Sequence, residues 1–379
     1  IHKSETRKEI VMKKALKLNV PIIYLNMVGG QDELVFDGGS FVVNDLGEII
    51  YQASSFKEEV FHLDIDLKTN KQNDKSPLII RPKTIELKDV ESKASLSKNE
   101  SIYSALKLGL KDYVRKNKFT KVLIGISGGI DSALTAAICV DALGAENVIG
   151  VAMPSKYNSK DSLDDAIKLS DNLGITLKTI EIEKLVDDFR ETLTNSLNED
   201  LGQITDENIQ SRVRGNILMG LSNQTGAMVV STGNKSEMAV GYSTLYGDLA
   251  GGFALIKDLY KTKVYELSNY INSISDAIPK NIITKEPSAE LRPNQFDSDS
   301  LPDYEVLDKI LNLYIEEDSS SEKIIALGVD SDIVFDVLEK VDRNEYKRQQ
   351  VAPGVKLTQK AFGKDRRMPI TNTYIRQKE

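Results

Sequence analysis

The chain is predicted to be an α/β protein built on a doubly wound parallel sheet. Beyond residue 100, helical and strand-like segments alternate: helix 100–116, strand 121–126, helix 131–143, strand 147–152, helix 160–173, strand 176–181, helix 206–222 and strand 227–231. A parallel sheet with crossover helices produces this order. The strand segments are short and apolar, as in Val122, Leu123, Ile124 and Ile126, which suits central strands covered on both faces. The run Lys121–Ser132, K-V-L-I-G-I-S-G-G-I-D-S, leads from a strand through a Ser-Gly-Gly turn directly into a helix. In such sheets ligands bind beyond the carboxyl ends of strands, where Ser127 falls.

Ahead of this unit, residues 4–18 have helical character and Pro21–Met27 reads as a strand. Gly38–Val43 and Glu48–Gln52 form a hairpin turning at Asn44-Asp45-Leu46-Gly47, and Phe61–Ile65 adds a last strand. From Asp66 to about Lys98 the sequence is polar and irregular and reads as a linker. The expected organisation is 1–66, a linker 67–98, and a main domain 99–379, with 303–345 helical and a basic tail 343–376 extended. The start at Ile1 rather than Met points to a fragment or processed product.

At 40% hydrophobic and 28% charged residues, the 379-residue chain has the composition of a soluble globular protein. A net charge of −8 argues against nucleic acid as an obligate partner. Cys139 is the one cysteine, so an intrachain disulfide and a cysteine-based zinc cluster are excluded, and a cytoplasmic setting is the default. No apolar run approaches the ~20 residues of a membrane span.

The Ser-Gly-Gly turn carries the chemistry. Gly128 and Gly129 allow close approach of a phosphate, and the following helix offers free N–H groups and the positive end of its dipole. Asp131 would repel a phosphate unless a divalent cation sat between them, and hard oxygen ligands suit magnesium. No Lys follows the glycines, so this is not the P-loop of the common ATPases. Further on, Val229–Glu237 is a second strand ending in a polar loop, and Gly241–Gly252 holds four glycines. Lys257 and Lys261 follow at helical spacing, while Asn208 and Arg212 lie one turn apart on a helix. Without a family to guide the reading, the last pair is better explained as an exposed helix pair, and Cys139, among Ala136, Ala137, Ile138 and Val140, as a buried apolar thiol.

S-G-G-I-D-S resembles the pyrophosphate-binding loop of the ATP-pyrophosphatase superfamily, whose fold is adenine nucleotide alpha hydrolase-like. With N-I-Q-S-R-V-R, S-T-G-N-K-S-E, G-Y-S-T-L-Y-G-D-L-A-G-G-F, K-E-P-S-A-E-L-R-P and D-R-R-M-P-I-T-N in order, residues 101–374 resemble the glutamine-dependent NAD synthetases. The resemblance implies ATP-dependent amidation of deamido-NAD through an adenylated intermediate, with ATP as co-substrate and Mg2+ as cofactor. A carboxylate is already a nucleophile, so activation needs charge neutralisation more than a proton shuttle.

The resemblance also implies roles for individual residues. Gly125, Ser127, Gly128, Gly129, Asp131 and Ser132 would surround ATP, with Thr232, Lys261 and Ser288. Asp131 and Glu237 would hold the metal, and with Lys261 they form the catalytic set. Asn208, Arg212 and Glu237 would face deamido-NAD, as would Tyr242, Ser243, Thr244, Leu245, Asp248 and, from the tail, Lys347. Lys257 is expected to be structural.

Residues 1–65, above all Val28–Phe41, resemble the last part of a nitrilase-type glutaminase domain, an incomplete α/β sandwich. In that family a Glu-Lys-Cys triad hydrolyses glutamine, and its members would all lie upstream of Ile1; Lys3 matches a glutamine-contacting position. The nitrogen is expected to come from glutamine in the full-length enzyme and from ammonia for this chain, which is either a fragment of a complete enzyme or a natural truncation, and the partial sandwich is expected to expose apolar surface. The family implies a homodimer or higher homo-oligomer. Rival expectations are another enzyme of the superfamily, such as a GMP synthetase or a tRNA-thiolating ATPase, and a non-catalytic nucleotide-binding regulator.

Overall fold

The computed structural model describes residues 3–63, 65 and 92–371. They form two compact units, one of residues up to 29 and 35–101, the other of residues 30–34 and from 102 onward.

In the first unit, helix α1 (Lys3–Leu18) precedes β1 (Ile22–Tyr24), β4 (Phe41–Val43) and β5 (Ile49–Gln52), which form an antiparallel sheet in the order β1-β4-β5. Between β1 and β4, β2 (Val28–Gln31) and β3 (Leu34–Asp37) pair in a separate two-stranded sheet that the sequence reading did not anticipate. Val11 and Ala15 of α1 pack on Phe41 and Val43, and Arg7 makes a two-pronged ion pair with Asp37 at 2.8 and 2.7 Å. Val42, Tyr51 and Ala53 alternate to the other face and meet Phe61, Leu63 and Ile65. The described residues of 61–65 are not a strand, correcting the sequence expectation: they bury side chains without pairing their backbone. Ile10, Leu16, Leu18, Ile23 and Leu25 are exposed. Most of the expected linker, 66–91, lies outside the described residues; 92–97 has no regular structure.

The second unit begins with the body of α2 (Lys98–Lys116), followed by β6 (Val122–Gly125), α3 (Ile130–Leu143), β7 (Val148–Ala152), α4 (Lys160–Leu173) and β8 (Thr176–Thr179). Helices α5 (Glu183–Leu197) and α6 (Gln203–Thr225) lead to β9 (Met228–Ser231), α7 (Lys235–Val240), the two-residue β10 (Phe253–Ala254), α8 (Lys261–Ser275) and α9 (Lys280–Thr284). The five strands are parallel in the order β10-β9-β6-β7-β8. The chain winds one way from β6 to β8 and then returns to the other side of β6, so the topological switch point lies between the ends of β6 and β9.

Burial explains the elements. β6 hides Val122, Leu123 and Ile124 completely, and α3 presses Ala133, Ala136 and Ala137 close to the sheet. Leu123, Val151 and Val229 meet Val186 of α5 and Ile209 and Val213 of α6, each such side chain contributing about 1.5–3 kcal/mol of burial. α4 is closed by the Ser159 hydroxyl at its start and by left-handed Gly174 at its end. Helix α5 was not anticipated.

The helices α10 (Tyr304–Leu311), α11 (Ser321–Ala326), α12 (Ser331–Arg343) and α13 (Glu345–Arg348) follow, with a π-helical turn at Asn312–Glu316. Leu307, Ile310, Leu311, Val334, Val337 and Leu338 form a second core with Ala239 and Val240 of α7. The basic tail departs from the extended expectation at α13, where Arg348 is buried and hydrogen-bonded to the Ala239 carbonyl. Residues 372–376 of that expectation lie outside the described residues.

Candidate active site

The Ser-Gly-Gly loop is held by hydrogen bonds within itself. The Ser132 hydroxyl donates to the Gly129 carbonyl at 2.9 Å, and the Gly129 N–H donates to the Ser127 hydroxyl at 3.2 Å. Gly128 sits at φ +80°, and a Cβ there would lie 2.2 Å from the Ser162 carbonyl oxygen. Only glycine meets both constraints. Gly129 caps α3 with no side-chain bond, which leaves the helix's positive end facing the loop.

Across the switch point, the loop after β9 brings a second acid. Asn234 caps α7 in a reciprocal capping box with Glu237, and its amide also donates to Asp131 Oδ1 at 3.0 Å. Lys261, at the start of α8, reaches between the acids, donating to Asp131 Oδ2 and lying 3.5 Å from Glu237 Oε1. Burial alone would lower the Lys261 pKa, but the charges of Asp131 and Glu237 reverse the effect and hold it well above the ordinary lysine range. Burial, then the Asp131 charge, pushes Glu237 up to about 8.

These groups line a cavity of about 620 Å³ at the sheet's carboxyl edge. Gly125, Ser127, Gly129, Asp131, Ser132, Thr232 and Ser288 border it, as do Asn208, Glu237, Tyr242, Ser243, Thr244, Asp248, Lys261 and Lys347. Thr244 donates to Asn208 Oδ1 at 2.7 Å, and its N–H donates to Asp248 Oδ1 at 2.6 Å. Burial raises the Asp248 pKa. The Lys347 ammonium binds the Gly241 and Ser243 carbonyls at 2.7 and 2.8 Å, so the tail residue is anchored to the glycine-rich loop.

The residues matching the NAD synthase family model are 102–351, the unit that holds this cavity. This chain belongs to the NAD synthase family. It is 49% identical over 393 aligned positions to the glutamine-dependent NAD(+) synthetase of Thermotoga maritima, covering 99% of this chain and 68% of that protein. Identity to the Acinetobacter baylyi protein of the same name is 46%, covering 98% and 66%. Among solved structures, the glutamine-dependent NAD+ synthetase of Acinetobacter baumannii in complex with ADP matches with TM-score 0.66 and 44% identity, over 98% of this chain and 66% of that one. The chain thus spans about two thirds of the length of these relatives. NAD synthases are ligases that form a carbon–nitrogen bond, and the readings as a GMP synthetase, a tRNA-thiolating ATPase or a regulator find no support.

Within this family member, four expected residues are not part of the cavity lining, the first being Gly128, whose Cα faces the Ser162 carbonyl. The Leu245 side chain packs with Met238, Leu249 and Ala254, since an apolar chain gains more there than in a polar pocket. Arg212 is exposed, with Nε on the Leu245 carbonyl at 3.2 Å. Lys3 is exposed at the first residue of α1, in the other unit. Lys257 does not share a helix with Lys261, because α8 begins at Lys261; its ammonium donates to the Ala352 carbonyl.

Several cavity residues escaped the sequence reading. Asp297 is 5% exposed, and its Oδ2 accepts from the Tyr304 hydroxyl at 2.7 Å. Arg214 donates to the Met153 carbonyl and to Asn158, and burial lowers its pKa to about 10. Glu290 accepts from Ser162, Asn158 and Lys285. Lys285 and Glu290 stood inside the matched K-E-P-S-A-E-L motif, a signal that could have found them. Asp297 lies beyond it, with no spacing to mark it.

Asp131 and Glu237 supply the hard oxygens that magnesium prefers. No set of three His, Cys, Asp or Glu side chains among the described residues is arranged to hold an ion. A cation would complete its shell with phosphate and water oxygens, as magnesium commonly does at nucleotide sites.

Proposed function

We propose that this chain catalyses the ATP-dependent amidation of deamido-NAD to NAD, releasing AMP and pyrophosphate. What carries the reading is the meeting of Asp131, Glu237 and Lys261 beside the internally hydrogen-bonded Ser-Gly-Gly loop at the switch point. The acids and the lysine give the triphosphate and its cation opposite charges to bind, and burial strengthens both. Asp131 and Glu237 would hold Mg2+, which would neutralise the leaving pyrophosphate.

The nicotinate carboxylate of deamido-NAD attacks the α-phosphorus, and the bond to pyrophosphate breaks. Ammonia then attacks the adenylated carbonyl carbon, the C–N bond forms, AMP leaves, and nitrogen sheds its extra proton. The lysine's role is to hold the triphosphate while its charge moves to the leaving group. Asn208, Thr244, Asp248 and Lys347, tied into one network around the glycine-rich loop, would receive deamido-NAD, with Arg212 at its outer edge.

Residues 1–66 are read as the end of a nitrilase-type glutaminase domain and 99–379 as the synthetase domain. Glutamine hydrolysis needs a thiolate nucleophile. Cys139 is fully buried in α3 and burial pushes its thiol well up, so it does not supply one; we read glutamine as the nitrogen source of the full-length enzyme and ammonia as the nitrogen that residues 99–379 accept. A homodimer would cover apolar surface such as exposed Leu185 and Phe189 of α5 and Ile204 and Met219 of α6. The soluble composition and free thiol fit a cytoplasmic enzyme.

The test is NAD formation from deamido-NAD and magnesium-ATP with ammonium or glutamine, with Asp131→Ala as control and sedimentation for the dimer. Activity with ammonium, lost in the control, is expected. ATP consumption that ignores deamido-NAD would refute the reading.

A further inference from the structure

Helix α8 starts at Lys261 without a cap of its own: the preceding Tyr260 offers no side-chain bond. Its first N–H groups find partners far away in sequence. The Lys261 N–H donates to the Ser236 hydroxyl at 2.9 Å, and the Thr262 N–H donates to Asp308 Oδ2 at 2.8 Å. Ser236 in turn donates to Asp308 Oδ1. A buried carboxylate on α10 thus closes the helix end, satisfying orphan donors and facing the positive end of the dipole. Because Ser236 precedes Glu237, one carboxylate fixes both segments that carry the site's Glu237 and Lys261.

One turn earlier on α10, Tyr304 acts on the side chain. Its ring centroid lies 5.2 Å from Lys261 Nζ, within range of a cation–π attraction. The Tyr304 hydroxyl is fixed by Asp297, whose own N–H binds the Pro287 carbonyl at 3.0 Å in the K-E-P-S segment. Residues 304 and 308 share a helix face at i, i+4.

We propose that α10 is a clamp that positions Lys261, with Tyr304 under the ammonium and Asp308 holding the backbone. A lysine ammonium stands on a flexible four-carbon stem and needs such fixing. Asp131 and Glu237 cannot supply it throughout, because a nucleotide-bound cation competes for both. The ring and the helix cap do not compete for that cation. The inference rests on the proposed role of Lys261 toward the triphosphate.

The test is a double-mutant cycle read as ATP affinity by calorimetry with magnesium and without deamido-NAD, so that no turnover is needed. Tyr304→Phe keeps the ring and should bind ATP within ~2-fold of wild type, whereas Tyr304→Leu should weaken it ~5-fold or more. On a Lys261→Gln background, Tyr304→Leu and Asp308→Asn should each cause little further loss, the mark of residues acting through that lysine. Equal losses in both backgrounds, or no loss from Tyr304→Leu, would overturn the clamp. A drop in melting temperature from Asp308→Asn with unchanged affinity would overturn its half. Should Lys261→Gln bind ATP as wild type does, the reading of Lys261 fails instead, which is a separate outcome.

Discussion

Lys235 and Lys261 are both buried, and each meets two carboxylates, but their surroundings differ. The Lys235 ammonium is fully enclosed, touching Glu316 at 2.5 Å, Asp258 at 2.8 Å, Thr358 at 2.6 Å and the Lys360 carbonyl at 3.0 Å. Asp258 further accepts the Leu357 and Thr358 N–H groups. This is a closed post joining α7 to the tail and the π-helical turn. Lys261 instead borders the cavity, sharing Asp131 and Glu237 with whatever enters it. A buried charge whose partners are all protein is structural; one whose partners can be recruited by a ligand is available for chemistry.

The largest expected effect separates the two. Lys261→Ala should lower kcat/KM for ATP by about 10²–10³, the usual scale for losing one preorganised electrostatic contact, while destabilising the fold less than Lys235→Ala, because Asp131 and Glu237 border the cavity and are more exposed than Asp258 and Glu316. Lys235→Ala should do the reverse at first order. Leaving Glu316 and Asp258 uncompensated costs about 3–5 kcal/mol, read by denaturant unfolding. If Lys235→Ala folds normally but loses activity, the division between post and site collapses.

Gly128→Ala comes next. Left-handed strain and the overlap with the Ser162 carbonyl should destabilise the loop by about 1–3 kcal/mol and raise KM for ATP more than they lower kcat.

Smaller effects follow from two glutamates shifted in opposite directions. Glu237, held up to about 8 against an ordinary 4.5, keeps a proton that the unfolded chain has released. The unliganded protein should therefore lose stability as pH rises from about 4.5 through about 8, and Glu237→Gln should flatten that slope. Glu183 is shifted the other way. Its burial would raise it, but Lys156 and Arg190 outweigh that and bring it to about 2. Its contribution is present above pH 4.5 and fades as pH falls toward 2, so Glu183→Gln should show less loss on the acid side. Melting curves across pH check both, and a Glu237→Gln slope equal to wild type would place the proton elsewhere.

Strands β6 to β9 and the Ser-Gly-Gly loop were legible in the sequence because each depends on neighbours in the chain: β-branched runs, glycine's conformational freedom, a helix start. The Asn234 cap with Glu237 three residues on is equally local, yet the sequence reading took that segment only as a polar loop. Helix α5 went unread although Leu185, Val186, Phe189, Leu193 and Leu197 follow a helical period. Phe61, Leu63 and Ile65 show the opposite error, apolar residues that pack their side chains without joining a sheet.

The sequence by itself determined the parallel α/β framework, the anion-binding turn and a set of polar loops placed after strands. Tertiary structure decided which of Lys235, Lys257 and Lys261 enters the cavity, and it brought Tyr304, Asp308 and Asp297 to the site without any motif to announce them. Asp131 and Lys261 stand 130 residues apart in the chain. Local sterics and backbone hydrogen bonding fix what a short segment becomes, whereas the pairing of distant charges depends on which helix ends the packed core carries to the same point.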